Sequence, residues 1–351
     1  MRIVVTTLLV LSASLQAQVQ QSKHKEAGLT DIVAVKITPL GSHDGEFCRN
    51  DRAMLFEDPT GVRVLYDPGR TIAGGTDVRL GEVHVMLLSH AHADHIGDAQ
   101  PNPASLGTCA VPDTVPATPN SNFAAIAAAK NSTVIVGGEL AAFLGRKIQN
   151  VVGTATAGCD AAGLGNEQVV PRGAPCAGAL RPGGSVTARF NGAAEGVRIA
   201  VVPAVHSNGI AASLTDSPGV APGTTAYGGD ATGYIVKFTN GLTVYLTGDT
   251  GMFGDMNAIV RKYYQPSLMV INVGDILSTG PDEAAFVARS LVKPHTVIPS
   301  HINEAATLGG LPAGLRMKRF INQMSGSGIG VVLPLSGVTL QFDGSGSCLN
   351  C

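Results

Sequence analysis

Short apolar runs, separated by glycine, proline and asparagine, set the pattern of this chain. Residues 31–40 alternate apolar and polar positions, the period of a strand. Residues 53–57 and 62–66 read as two strands joined by Asp58-Pro59-Thr60-Gly61, a turn sequence. A strand over 83–88 runs straight into a histidine cluster. A helix over 123–130, a strand over 133–136 and a helix over 139–147 follow. The strand over 197–205 ends at His206. Strands over 234–238 and 242–246 form a hairpin across Thr239-Asn240-Gly241, a strong turn signal, and the second runs into Thr247-Gly248-Asp249. Beyond it come a helix over 256–264, a strand over 268–273 and a helix over 282–291 with Pro281 suited to its first turn. A strand over 296–299 ending at His301, a helix over 315–324 and a closing strand over 331–342 complete the pattern.

Two segments interrupt it. Residues 100–121 hold five prolines and Cys109, and residues 153–184 are rich in glycine, alanine and proline and hold Cys159 and Cys176. Both are longer than ordinary connections, so each is expected to be an insert, a lid or a tethered loop. At the N-terminus, Arg2, the apolar run 3–15 and the small residue Ala17 read as a signal peptide over 1–17, in preference to a buried first strand. A polar linker over 18–30 would lead to one domain over 31–345 and a cysteine-bearing tail over 346–351. The leader run is too short for a comfortable membrane span, and no other segment could cross a bilayer, so no stable membrane insertion is expected.

Composition narrows the partners. Of 351 residues 14% are charged and the formal net charge is −2, with no basic run or basic-aromatic stripe, which argues against nucleic acid as a partner. Six cysteines, Cys48, Cys109, Cys159, Cys176, Cys348 and Cys351, fit an oxidising compartment and, with the leader, a periplasmic or secreted protein. Cys159 and Cys176 flank one loop and are the pair expected to bridge. Cys348-Leu-Asn-Cys351 reads as a tight bridge or as two cysteines pairing elsewhere.

The chemistry lies in the stretch 87–98, LLSHAHADHIGD, which packs three of only nine histidines into six positions. A loop reading His-x-His-x-Asp-His can send alternate side chains to two cations, His90 and His92 to one, Asp94 and His95 to the other. His206, Asp249 and His301 share the same placement at strand ends, where side chains distant in sequence meet on one sheet edge. His24 and His295 read as surface residues and His84 as a strand residue.

SHAHADHIGD, VPAVHS, YLTGDTGMFGDM and VIPSHI together resemble the metallo-β-lactamase fold superfamily, and more narrowly its branch of metal-dependent hydrolases related to ascorbate phosphate lactonase. The likeness runs from about residue 31 to about residue 310 and includes GGELAAFLGRKI (137–148), RPGGSVTARF (181–190), ATGYIVKFTNGLTVYLTGDTG (231–251) and VGDILSTGPDEAAFVA (273–288). The leader, both inserts and the cysteines depart from the usual cytoplasmic members. The resemblance implies an α/β fold, a four-layer αβ/βα sandwich with a dinuclear site between the sheets. His90, His92 and His206 would bind one metal and Asp94, His95 and His301 the other, with Asp249 bridging. Zinc is the preferred metal, with manganese or iron found in related sites.

These readings predict an exported metal-dependent hydrolase in which a metal-bridged hydroxide attacks a small ester, lactone or amide, with Asp94 orienting the nucleophile and passing a proton. The alternatives are a hydrolytic dehalogenase or other xenobiotic hydrolase, a β-lactamase, and a non-catalytic metal-binding protein. The partner is a small molecule, and self-association is left open. Further candidates at the same edge are His43, Asp44 and Glu46 in the loop after the first strand, Asp275, and Ser207 and Asn208 beside a ligand. Asp67 is expected to steady the metal loop.

Overall fold

The structure is a computed structural model that describes residues 33–159, 166–215, 221 and 223–351. The predicted leader and linker, residues 1–30, lie outside the described residues. Ala34–Cys351 cluster as one unit.

The apolar runs form two eight-stranded sheets. In spatial order the first comprises Leu340–Phe342, Val35–Pro39, Met54–Glu57, Arg63–Tyr66, Val85–Leu88, Thr133–Gly137, Cys176–Leu180 and Ala157–Gly158. The second comprises Gly330–Val331, Thr296–Ser300, Leu268–Asn272, Thr243–Leu246, Thr232–Lys237, Val197–Pro203, Ser185–Phe190 and Glu167–Val170. Burial on both faces explains why the central strands read as continuous apolar runs. Val85 and Leu87 point into the core between the sheets, whereas Met86 and Leu88 meet the helices Asn122–Ala129 and Leu140–Val152. Val244 and Leu246 point inward and Tyr245 outward, onto a layer that includes Met256–Tyr264, Pro281–Val292 and Leu315–Met324. Three separate apolar clusters, one between the sheets and one under each helical layer, make the expected four-layer αβ/βα sandwich.

Strand direction positions the site. Arg63–Tyr66, Val85–Leu88 and Thr133–Gly137 run parallel. In the second sheet Val197–Pro203 and Thr243–Leu246 are both antiparallel to Thr232–Lys237, so they share one direction, and Leu268–Asn272 and Thr296–Ser300 run parallel to them. The residues that follow these strands therefore leave their sheet at a common edge.

The structure corrects two expectations. Residues 331–342 do not form one strand: Gly330–Val331 edges the second sheet and Leu340–Phe342 edges the first. Pro334 cannot donate to a ladder, and the chain crosses between sheets there. Residues 153–184 are not only a loop, since Ala157–Gly158, Glu167–Val170 and Cys176–Leu180 extend both sheets, braced by the expected Cys159–Cys176 disulfide. The proline-rich insert folds as a hairpin, Ala99–Pro101 against Thr114–Pro116, and is tethered by Cys48–Cys109. Cys348 and Cys351 pair with each other.

Candidate metal centre

The strand Val85–Leu88 ends in Ser89 and His90, and the chain then turns into a single helical turn, Ala93–Ile96, which carries Asp94 and His95. Gly97 closes that turn at φ 77°, and a Cβ there would meet the Gly69 carbonyl oxygen at 2.3 Å, so only glycine fits. The Asn122 amide donates to the carbonyls of Gly69 and Ile72, and Arg70 holds Asp98 through two hydrogen bonds at 2.6 and 3.0 Å. The histidine loop is thereby pinned on several sides.

From the other sheet His206, Asp249 and His301 arrive at the ends of their strands, as expected. His90 Nε2 lies 2.9 Å from His92 Nδ1, and His206 Nε2 lies 3.3 Å from the same His92 nitrogen. His95 Nε2 is 3.5 Å from Asp249 Oδ1, and His301 Nε2 is 3.1 Å from Asp94 Oδ2 and 3.3 Å from Asp249 Oδ2. The ligand atoms of His90, His92 and His206 fall within 4.8 Å of one another, as do those of His90, His95 and Asp249, and those of Asp94, His95 and His301. All seven predicted ligands are therefore brought together.

Charge separates two environments. Burial pushes His90 well below the ordinary imidazole value, with the neighbouring His95 adding to it. Burial also lowers His92 and His206, and lowers His301 with help from Arg52. Burial alone would lower His95 as well, but the carboxylates of Asp249, Asp94 and Asp67 outweigh it and raise that imidazole to about 10. For Asp94 burial acts upward, yet Arg52, His95 and His301 hold its carboxyl well below the usual range. Asp249 is held low by His301, His95 and His90 against its own burial.

The arrangement fits cations. His95 Nε2 and Asp249 Oδ1 are buried and face each other at 3.5 Å, and neither makes a well-formed hydrogen bond. Three imidazoles held neutral turn ring nitrogens toward one another at 2.9 and 3.3 Å, which leaves lone pairs facing lone pairs unless a proton or a cation lies between them. Imidazole nitrogen with carboxylate oxygen suits zinc, manganese or iron.

Supporting residues differ in part from expectation. Asp67 does steady the loop: it accepts from the Ser89 amide at 2.8 Å and the Ser89 hydroxyl at 2.6 Å, and lies 2.8 Å from His95 Nδ1. Ser207 Oγ is 3.3 Å from His92 Nε2, on an open pocket of about 380 Å³ also lined by Thr225 and Tyr227. Asn208 holds the loop instead of facing solvent: it accepts from the Ala91 amide at 2.7 Å and donates to the Gly228 carbonyl at 2.8 Å. The side chains of the first-strand loop are engaged by neighbouring loops. Glu46 accepts from the Thr307 hydroxyl at 2.5 Å and the Gly309 amide at 2.6 Å, His43 contacts Ser42 and the Gly107 carbonyl, and Asp44 accepts from Ser336. Asp275 lies 4.0 Å from Arg316 and accepts from the Ile276 amide. Arg52 was not foreseen. It is 4% exposed, and its guanidinium donates to Asp94 Oδ2 at 2.6 Å.

A two-sheet sandwich with this histidine and aspartate set at one edge defines a class, the metal-dependent hydrolases of metallo-β-lactamase fold. The family profile described as beta-lactamase superfamily domain matches residues 50–301. A UPF0173 metal-dependent hydrolase of Cupriavidus necator is 30% identical over 296 residues, 83% of this chain and 83% of its own length. Another from Koribacter versatilis is 28% identical over 81% of this chain and 91% of its own. Among solved structures, Igni18, a metallo hydrolase from Ignicoccus hospitalis, superposes with a TM-score of 0.54 at 20% identity over 88% of this chain and 99% of its own. CmlA, a diiron β-hydroxylase from Streptomyces venezuelae, does so with a TM-score of 0.50 at 11% identity over 90% of this chain and 55% of its own. The chain belongs to the beta-lactamase superfamily. It is a metal-dependent hydrolase, and among its described residues no helix is long and apolar enough to cross a membrane.

Proposed function

We propose that this hydrolase holds two divalent cations and cleaves a small ester, lactone or amide outside the cytoplasm. The observation that carries the reading is the convergence of seven imidazole and carboxylate groups, with the buried His95 Nε2 and Asp249 Oδ1 3.5 Å apart and without a well-formed hydrogen bond at the junction of two histidine groups. His90, His92 and His206 would hold one cation and Asp94, His95 and His301 the other, with Asp249 between them. Such cations supply Lewis acidity, acidifying water and polarising the electrophilic group of a substrate.

The chain's own residues do the rest. Asp94 Oδ2 is fixed by Arg52 and faces His301, while the carboxylate as a whole is 28% exposed. Its lowered pKa keeps it a carboxylate, able to orient a water, and any proton it takes up passes readily to a leaving group. Asp67 keeps the Nδ1 side of His95 engaged, which turns Nε2 toward the centre. Ser207, Thr225 and Tyr227 border the open side where a substrate would enter.

Zinc is proposed first, because neutral imidazoles outnumber carboxylates. The fold likeness to a diiron enzyme keeps iron as the alternative. Export is supported by three disulfides, which persist in oxidising compartments. The test is metal analysis of the purified chain together with a panel of esters, lactones, amides, β-lactams and haloaromatics. Two equivalents of metal with ester, lactone or amide turnover that a chelator abolishes is the expected result. Full loading with no turnover on the panel would favour a metal-binding role.

A further inference from the structure

We propose that the site takes substrates carrying an alkyl chain or aryl ring beside the scissile group, seated on an apolar shelf formed by Val205, Met252, Ile276 and Leu277. The inference rests on the hydrolase reading above and names the substrate class of that same site. These four side chains are 54%, 47%, 88% and 79% exposed, on three loops that leave the second sheet at the edge where the ligands emerge. Scattered apolar residues on a surface need no explanation, but several converging beside a catalytic centre do.

Hydrogen bonds fix the convergence. Val205 directly precedes the ligand His206, and its carbonyl accepts from the Gly251 amide at 3.0 Å, next to Met252. The Val205 amide donates to the Thr250 hydroxyl at 2.9 Å, and the Thr250 carbonyl accepts from the Thr279 amide at 2.9 Å, which draws in the loop carrying Ile276 and Leu277. The backbone of Leu277 lies close enough to the His206 ring to favour its protonated form. That third loop is held in an unfavourable conformation: Asp275 and Ile276 lie at φ 64° and 66°, and a β-branched residue there is a genuine outlier. The turn is closed by the Ile276 amide on Asp275 Oδ1 at 2.9 Å and the Leu277 amide on the Asp275 carbonyl at 2.8 Å. Its effect is to present two large apolar side chains to solvent on a loop tied to the one that carries His206, and backbone strain of this kind clusters at ligand-binding sites. The charge nearest this turn, Asp275, is directed toward Arg316.

An apolar group resting on this shelf loses water on one side only, so each added methylene should tighten binding about two-fold. The test uses the metal-loaded full chain and straight-chain hydroxamates from acetohydroxamate to octanohydroxamate, whose binding is read by titration calorimetry without requiring turnover. The expected result is an octano-to-aceto affinity ratio of about 50-fold. In the double variant Ile276→Ser, Leu277→Ser that ratio should fall below about five-fold with metal content as in the parent. Leu308→Ser with Leu311→Ser, which removes exposed apolar surface elsewhere, should keep the parental ratio. A flat series in the parent, no hydroxamate binding, or a ratio unmoved by the double variant overturns the shelf. So does a dimer that the double variant splits with a flat series, which would make this face an interface between copies. A steep series in a protein that cleaves no ester, lactone or amide upholds the shelf and sinks the hydrolytic substrate reading instead.

Discussion

Arg52 and Asp94, 42 positions apart in the chain, form a charge pair at 2.6 Å in which the arginine side chain is 3% exposed. The guanidinium arrives from the start of the strand Met54–Glu57, and its other terminal nitrogen donates to the Asn50 carbonyl at 2.8 Å. Without a cation in the centre, Asp94 faces Asp249 across His301, and Arg52 is the permanent positive charge that offsets them.

Replacing Arg52 with methionine should therefore cost the metal-free protein about 1.5–3 kcal/mol, the range for a hydrogen bond to a charged group. Bound cations neutralise Asp94 independently, so the loss should shrink when metal is present. Urea denaturation with and without chelator measures both values. Equal losses in the two states would show that Arg52 acts only by packing.

Asp67 touches no predicted cation position directly, but it holds Ser89 and His95 together. Asp67→Asn preserves shape and removes the charge that orients the His95 ring. Competition against a chromophoric chelator should show metal affinity about 10- to 100-fold weaker, with the circular dichroism of the folded protein retained. Unchanged affinity would assign Asp67 to loop stability alone.

The acid–base behaviour of the metal-free centre follows from opposing shifts. His95 is raised from 6.5 to about 10, so the stability it contributes is complete below about pH 6.5 and is lost as pH rises through 10. His90, His92, His206 and His301 are lowered by burial, so their contribution is present above about pH 6.5 and is lost as pH falls below it. Chelator-treated protein should therefore melt highest near neutrality and lose stability on both sides. At pH 8 a cation reaching His95 must displace a proton, and dilution into weakly buffered indicator should show that release. No proton release at pH 8 would mean that His95 enters the centre already neutral.

The candidate set that the fold brings together was legible in the sequence because residue type and placement agree: imidazoles and carboxylates directly after apolar runs, on strands whose ends converge. The sandwich was legible for a related reason. In Val85–Leu88 each position is apolar because odd residues fill one core and even residues another. Arg52 was not legible, since one arginine ahead of an apolar strand looks like a solvated strand end, and its partner is fixed only by tertiary structure. The partners of Glu46 were not legible either. Its polar loop does follow the first strand, but the carboxylate is claimed by the turn at Thr307–Gly310. Cys176–Leu180, with the sequence CAGAL, carries little intrinsic strand preference and becomes one by pairing with the buried Thr133–Gly137.

The disulfides should rank by the length of chain that each closes. Cys48–Cys109 spans 61 positions and Cys159–Cys176 spans 17, for which chain entropy gives about 4 and about 3 kcal/mol. The first also has a site to protect. Cys48 donates its amide to Asp51 Oδ2 at 2.8 Å, Asp51 returns its own amide to the Cys48 carbonyl, and the next residue is Arg52. Replacing Cys48 and Cys109 together with serine should lower stability by about 4 kcal/mol. It should also loosen the Arg52 loop, which the Cys159/Cys176 pair of replacements should leave in place. Hydrogen exchange of the amides at 48–52, measured under native conditions, separates the two effects. Faster exchange there in the first variant and parental exchange in the second is the expected outcome. Equal exchange in both would mean that the bridge stabilises the fold without holding the loop that delivers Arg52.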